Sequence, residues 1–134
     1  MPRALVVEDD VTSRTLFATI ARRCGFETLI AADGIEAMAS IKQQTPDAIV
    51  LDLLLPHVSG FEVLGEIGRT TPRLFGFTIV VTAAPEWSLH NCAELKLVRA
   101  VLRKPLDVGM IMDELTAICE NTAHGRPAGP ERSA

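Results

Sequence analysis

Cysteine is scarce and poorly arranged for chemistry. The 134-residue chain has three, Cys24, Cys92 and Cys119, an odd number with no CxxC pair. That argues against a disulfide framework or a zinc site and leaves ordinary part-buried thiols. His57, His90 and His124 share no ligand spacing either. Tyrosine is absent, and Trp87 is the single tryptophan. No apolar run approaches the roughly 20 residues that cross a bilayer. Met1 leads into strand-like sequence rather than a basic segment with a long apolar core, so no signal peptide is expected and a cytoplasmic, reducing location is. Basic residues show no excess: 13 Lys and Arg stand against 17 Asp and Glu, for a net charge of −4. They are scattered, offering no face for nucleic acid. Internal repeats are missing too.

What remains is the composition of an ordinary globular domain, 48% hydrophobic and 22% charged. A chain of this size buries a sizeable core without cross-links. Residues 4–7, 27–31, 48–51, 77–81 and 100–102 form short strand-like runs. Between them the apolar residues fall at helical spacing. Leu16, Phe17, Ile20 and Ala21 mark a helix over 12–24, stopped by Gly25. Ile35, Ala37, Met38 and Ile41 follow the Asp33-Gly34 turn. Phe61, Leu64 and Ile67 follow Ser59 or Gly60. A weaker helix is expected from 86 to about 95. Met110, Ile111, Leu115 and Ile118 form a last one, capped by Asp107. Five strands alternating with five helices predict an α/β domain: a doubly wound, five-stranded parallel sheet with right-handed crossovers and helices on both faces. The domain is expected over residues 1–120. Residues 121–134, with Gly125, Pro127, Gly129 and Pro130, read as a disordered tail or linker stub.

The chemistry gathers at the strand ends. Glu8 and Asp9 follow the first strand, Asp52 the third, Thr82 the fourth and Lys104 the fifth. In an open parallel sheet the carboxyl ends of the strands hold the site. A carboxylate at the end of a buried strand is costly unless it has a cation or a job. Three together raise one another's pKa unless a metal or cationic side chain offsets them. A carboxylate cluster, a hydroxyl and an ammonium make a phosphoryl-transfer or phosphate-binding constellation. The bland readings are a solvated turn for Glu8-Asp9-Asp10, strand packing for Thr82 and a solvated Lys104 before Pro105. Asp10 or Thr12 is the candidate helix cap.

Several short stretches occur in a fixed order: Val7-Glu8-Asp9-Asp10, Asp33-Gly34-Ile35-Glu36-Ala37, Pro46-Asp47 before the strand ending in Asp52, Leu55-Pro56 with Gly60, Val81-Thr82-Ala83 and Lys104-Pro105. In these the chain resembles the receiver domain of two-component response regulators, in its stand-alone, chemotaxis-regulator-like form, over about residues 3–120. The resemblance implies the flavodoxin-like receiver fold. It implies Asp52 as phosphoacceptor, and Mg²⁺ held by Asp9, by Glu8 through water, by Asp52 and by the backbone carbonyl of Leu54. Thr82 and Lys104 would bind phosphoryl oxygens. The implied donor is a sensor histidine kinase or histidine phosphotransfer protein, and the implied target an output protein. A phosphorylation-dependent dimer is among the partners it allows, while direct nucleic-acid or membrane contact is not expected. The expected function is a phosphorylation-dependent switch rather than an enzyme acting on other substrates. The alternatives are a phosphorelay intermediate and a degenerate receiver serving as an unphosphorylated scaffold.

The pattern is departed from in places. Leu55 stands where Met is usual. Leu54 and Ala84, two residues beyond Asp52 and Thr82, cannot hydrogen-bond a hydrolytic water. Val101 stands where the family often carries a switch aromatic, which puts that readout in doubt. Trp87 and His90 are left as candidates for an unusual partner face. An aspartyl-phosphate hydrolase would want an acid at position 54, which is leucine.

Overall fold

The computed structural model describes residues 1–123. Five strands, β1 (Arg3–Val7), β2 (Glu27–Ala31), β3 (Ala48–Leu51), β4 (Thr78–Thr82) and β5 (Ala100–Arg103), form one sheet in the order β2-β1-β3-β4-β5. Every pairing is parallel. The helices are α1 (Val11–Arg23), α2 (Gly34–Gln43), α3 (Gly60–Thr70), a four-residue α4 (Glu86–Leu89) and α5 (Val108–Ala123). Two 3-10 turns, Pro72–Phe77 and Ala93–Lys96, complete the elements among the described residues. None of these helices is long and apolar enough to cross a membrane.

Successive side chains of a strand point to opposite faces, so the sheet divides the core in two. Ala4 and Val6 of β1 join Phe17, Ile20, Ile111, Leu115 and Ile118 on the α1–α5 side. Leu5 and Val7 join Ala37, Ile41, Val63, Leu64 and Ile67 on the α2–α3 side. β3 and β4 are buried along their whole length. Burial on both faces explains why their sequences run apolar without alternation.

The helix starts are locally encoded. Asp10 caps α1, accepting from the Ser13 N–H at 2.8 Å, and Asp33 caps α2 through Glu36. Ser59 and Glu62 form a reciprocal capping box at α3. Asp107 accepts from the Gly109 N–H at the start of α5. Gly25 ends α1 at φ 102°, a left-handed conformation that favours glycine.

Four expectations need correction. Leu16, Ile35 and Met110 are exposed rather than inward; each flanks the apolar stripe of its helix, where spacing alone does not decide burial. The single helix expected over 86–95 breaks after Leu89: Pro85 gives it no side-chain cap, none of its residues is buried, and the ion pair tying Glu86 to Arg103, at 3.8 Å, is solvent-exposed. The turn at Pro72–Phe77, which helical or strand spacing does not mark, carries Leu74 and Phe75 into the core. Consequently β4 begins at Thr78 and includes Thr82. Finally, α5 runs through Ala123, past the boundary placed at residue 120. The rest of the expected tail lies outside the described residues.

Candidate functional site

Glu8, Asp52 and Lys104 each stand one residue beyond a strand, and Thr82 is the last residue of its own. Register brings them to one edge. Val7 pairs with Leu51, Leu51 with Val80, and Thr82 with Arg103. The Asp52 N–H donates to the Val7 carbonyl at 3.0 Å, and the Glu8 N–H to Ala31 at 3.1 Å, so the ladder runs on into the acidic residues.

The loop after Asp52 is clamped back onto the strand. The Gly60 N–H donates to the Leu53 carbonyl at 2.9 Å, and a Cβ on Gly60 would collide with the Asp52 carbonyl oxygen and the Leu53 Cα. Glycine there lets the start of α3 sit directly on the end of β3. The Leu54 N–H then reaches the Asp52 carboxylate, donating to Oδ1 at 3.1 Å.

Asp52 is 4% exposed and Glu8 1%, while Asp9 faces solvent. Carboxylate oxygens of all three lie within 4.8 Å of one another. One ammonium offsets two of them: Lys104 Nζ donates to Glu8 Oε1 at 2.8 Å and to Asp52 Oδ2 at 3.1 Å. The other Glu8 oxygen accepts from the Asp10 N–H at 3.2 Å. Burial pushes the Glu8 carboxyl above its ordinary value, against the pull of Lys104 and the Asp10 N–H and with the push of Asp52. Burial pulls the Lys104 ammonium down, but Glu8 and Asp52 outweigh it and hold it above its ordinary value. The two shifts oppose each other on one pair, the first favouring a neutral acid and the second a charged amine. The short double contact of Lys104 supports the charged pair.

The structure thus brings Glu8, Asp9, Asp52 and Lys104 together. Thr82 is fully buried on the same edge, and its Oγ1 is engaged locally, accepting from the Ala84 N–H at 3.0 Å. Leu54 contributes its amide to Asp52, and the residue is 49% exposed. Ala84 is completely buried, so it does not border open solvent as Leu54 does. Val101 is partly buried against the α2–α3 core. Trp87 is 72% exposed on α4, and His90 lies 3.9 Å from Glu86. Sequence reasoning missed Arg14, whose guanidinium donates to the carbonyls of Glu8 and Asp9 at 3.1 and 3.3 Å. The only signal was a cation in the first turn of the helix after the acidic pair. Three hard oxygen donors in this space suit a small divalent cation that keeps some of its water.

A family model described as the response regulator receiver domain matches residues 4–116. The transcriptional regulatory protein AfsQ1 of Streptomyces coelicolor is 41% identical over 70 residues, 52% of this chain and 31% of that protein. The chain spans less than a third of the length of the curated relatives it matches. Among solved structures, the N-terminal domain of an uncharacterized protein from Wolinella succinogenes superposes with a TM-score of 0.82 at 28% identity, covering 94% of this chain and 100% of that one. The response regulator TrrA of Thermotoga maritima, solved in complex with Mg²⁺–BeF, superposes with a TM-score of 0.76 at 24% identity, covering 88% and 99%. At that identity TrrA speaks for the fold alone.

Proposed function

The chain belongs to the response regulator receiver domain family, and from that premise we propose that it is a phosphorylation switch in which Asp52 accepts a phosphoryl group from a histidine donor. The observation that supports this best is the Lys104 ammonium bridging two buried carboxylates beside an exposed third. An ammonium so placed can leave Asp52 for an arriving phosphoryl oxygen without leaving Glu8. An Asp52 carboxylate oxygen attacks phosphorus, and the phosphorus–nitrogen bond to the donor imidazole breaks. The nitrogen keeps the electron pair. The product is an acyl phosphate with about two negative charges.

Asp9 and Asp52 would ligate Mg²⁺, with the Leu54 carbonyl as the third protein ligand. Both Glu8 oxygens are already engaged, which favours contact through water for Glu8. When bound, the ion neutralises charge on the phosphoryl oxygens and orients them. Thr82 Oγ1 accepts from Ala84 and keeps its own proton to donate to a phosphoryl oxygen. Movement of Thr82 toward that oxygen would pull on the Ala84 turn and bias α4, which lies next in the chain.

The partners proposed are a sensor histidine kinase or histidine phosphotransfer protein as donor, and an output protein or module as target. The test is incubation with acetyl phosphate and Mg²⁺, read by intact mass. One phosphoryl group should be added, and Asp52→Asn or EDTA should abolish it. Labelling that persists in Asp52→Asn would overturn the assignment.

A further inference from the structure

Two of the three cysteines, distant in sequence, meet at the seam between α1 and α5. Cys24 is the C-cap of α1. Its thiol lies 3.7 Å from the Met112 carbonyl, toward which it donates, and accepts from the Thr116 hydroxyl at 3.5 Å. Met112 and Thr116 lie one turn apart on α5, and Cys119 is the next position on the same stripe. Helical side chains lean toward the helix N-terminus, which carries Cys119 Sγ back over the turn that holds Thr116. From the other side, a Cβ on Gly25, the neighbour of Cys24, would stand 2.8 Å from Cys119 Sγ. The two sulfurs therefore approach one patch from two helices. Both residues are partly exposed, within reach of a small reagent. The seam lies at the end of α1 that leads into β2, away from the strand ends that carry Glu8 and Asp52.

We propose that Cys24 and Cys119 form a thiol-modification site, which a low-molecular-weight disulfide such as oxidised glutathione converts into an intramolecular bridge. One cysteine thiolate attacks the small disulfide, forming a mixed disulfide and releasing one small thiolate. The second cysteine attacks the protein sulfur of that mixed disulfide. The protein sulfur–sulfur bond forms, the mixed bond breaks, and a second small thiolate leaves. The two protein thiols are oxidised, the small disulfide is reduced to two thiols, and both protons end on those thiols. Burial, with Cys24 and Glu120 nearby, holds the Cys119 thiol above its ordinary value, so mildly alkaline conditions favour its thiolate and the exchange. The bridge would tie α1 to α5 across a long closed loop, which restricts the unfolded chain. Cys92 packs against the opposite core cluster and takes no part.

The test uses the full chain with oxidised glutathione at mildly alkaline pH, quenched with N-ethylmaleimide. The expected product is a monomer lighter by about 2 Da before alkylation, with only Cys92 alkylated and the peptides of Cys24 and Cys119 linked. Its melting temperature should rise by several degrees and return on adding dithiothreitol. Cys24→Ser and Cys119→Ser should each abolish the bridge, and Cys92→Ser should retain it. Labelling by acetyl phosphate should persist in the bridged form, so the bridge and the phosphoacceptor assignment fail separately. Three alkylated cysteines, a glutathione adduct that never resolves, a bridge through Cys92 or covalent dimers would each overturn the proposal. If a serine variant does not fold, the peptide map of the native chain decides alone.

Discussion

Leu54 stands two residues beyond Asp52, half exposed at the mouth of the acidic cluster. A polar side chain there could hold a water in line with an Asp52–phosphorus bond, and leucine cannot. The phosphoform is therefore expected to decay slowly without a phosphatase. Leu54→Asn should speed decay about tenfold, or about 1.4 kcal/mol of barrier, measured as loss of the phosphoform by mass after the donor is removed. A native phosphoform that vanishes within seconds would contradict this. Ala84 is the poorer site for such a change, because it is buried and its amide holds Thr82. In the same loop, His57 sits at φ 67°, the left-handed region. That conformation costs an L-residue about 1–2 kcal/mol, and glycine gives back part of the relief in backbone entropy. His57→Gly should raise stability by about 0.5 kcal/mol in urea unfolding, and a clear loss of stability would count against the strain. The candidate site residues are legible in the sequence because a charge at the end of an apolar run stands out. Ala84 and His57 carry no such signal, since burial and φ at those positions are set by the packing of a turn.

At the scale of elements, α4 is the weak member. It has four residues, no buried side chain and no side-chain cap. It and the segment after it pack on the core through partly buried Leu89, Cys92, Leu95 and Val98. Local opening draws on regions with few buried contacts. Backbone amides over residues 86–97 are expected to exchange with deuterium faster than those of α3, and Trp87→Ala should change stability by less than about 0.5 kcal/mol. Protection of 86–97 equal to that of α3 would refute this. By contrast α3 has its capping box and four buried residues, Gly60, Val63, Leu64 and Ile67. The helical pattern of α3 was plain in the sequence because one stripe decides its packing. That of α4 misled, because apolar spacing over 86–95 reports what could be buried, not whether the helix is held at its ends.

For the whole molecule the acidic edge is a stability question as well as a chemical one. Lys104 is the cation in contact with Glu8 and Asp52. Removing one partner of such a group leaves uncompensated charge. Lys104→Met should cost about 3 kcal/mol in EDTA at neutral pH, read by urea unfolding. Because folding raises the Lys104 pKa, its contribution is complete below the ordinary value of 10.5 and is lost as pH rises through the folded value. On the alkaline side the gap between native and variant should therefore close only as pH rises through the folded value, and in acid it should narrow as Glu8, held above its ordinary value, takes up its proton. Mg²⁺ that binds the folded state alone should stabilise the native chain by about 2.7 kcal/mol at one hundred times its Kd, and Asp9→Asn should blunt that response. No Mg²⁺-dependent shift in melting temperature beyond ionic-strength controls would count against the pocket. The alternation of strands and helices, the parallel sheet and the edge where the charged residues gather can be read along the chain, because periodicity, caps and strand ends are local properties of neighbouring residues. Folding settles what that reading leaves open: one Lys104 ammonium serves two carboxylates, both Glu8 oxygens are spoken for, α4 is short, and Cys24 and Cys119 share a seam. Each of these depends on which distant segments pack together, and spacing along the chain does not carry that information.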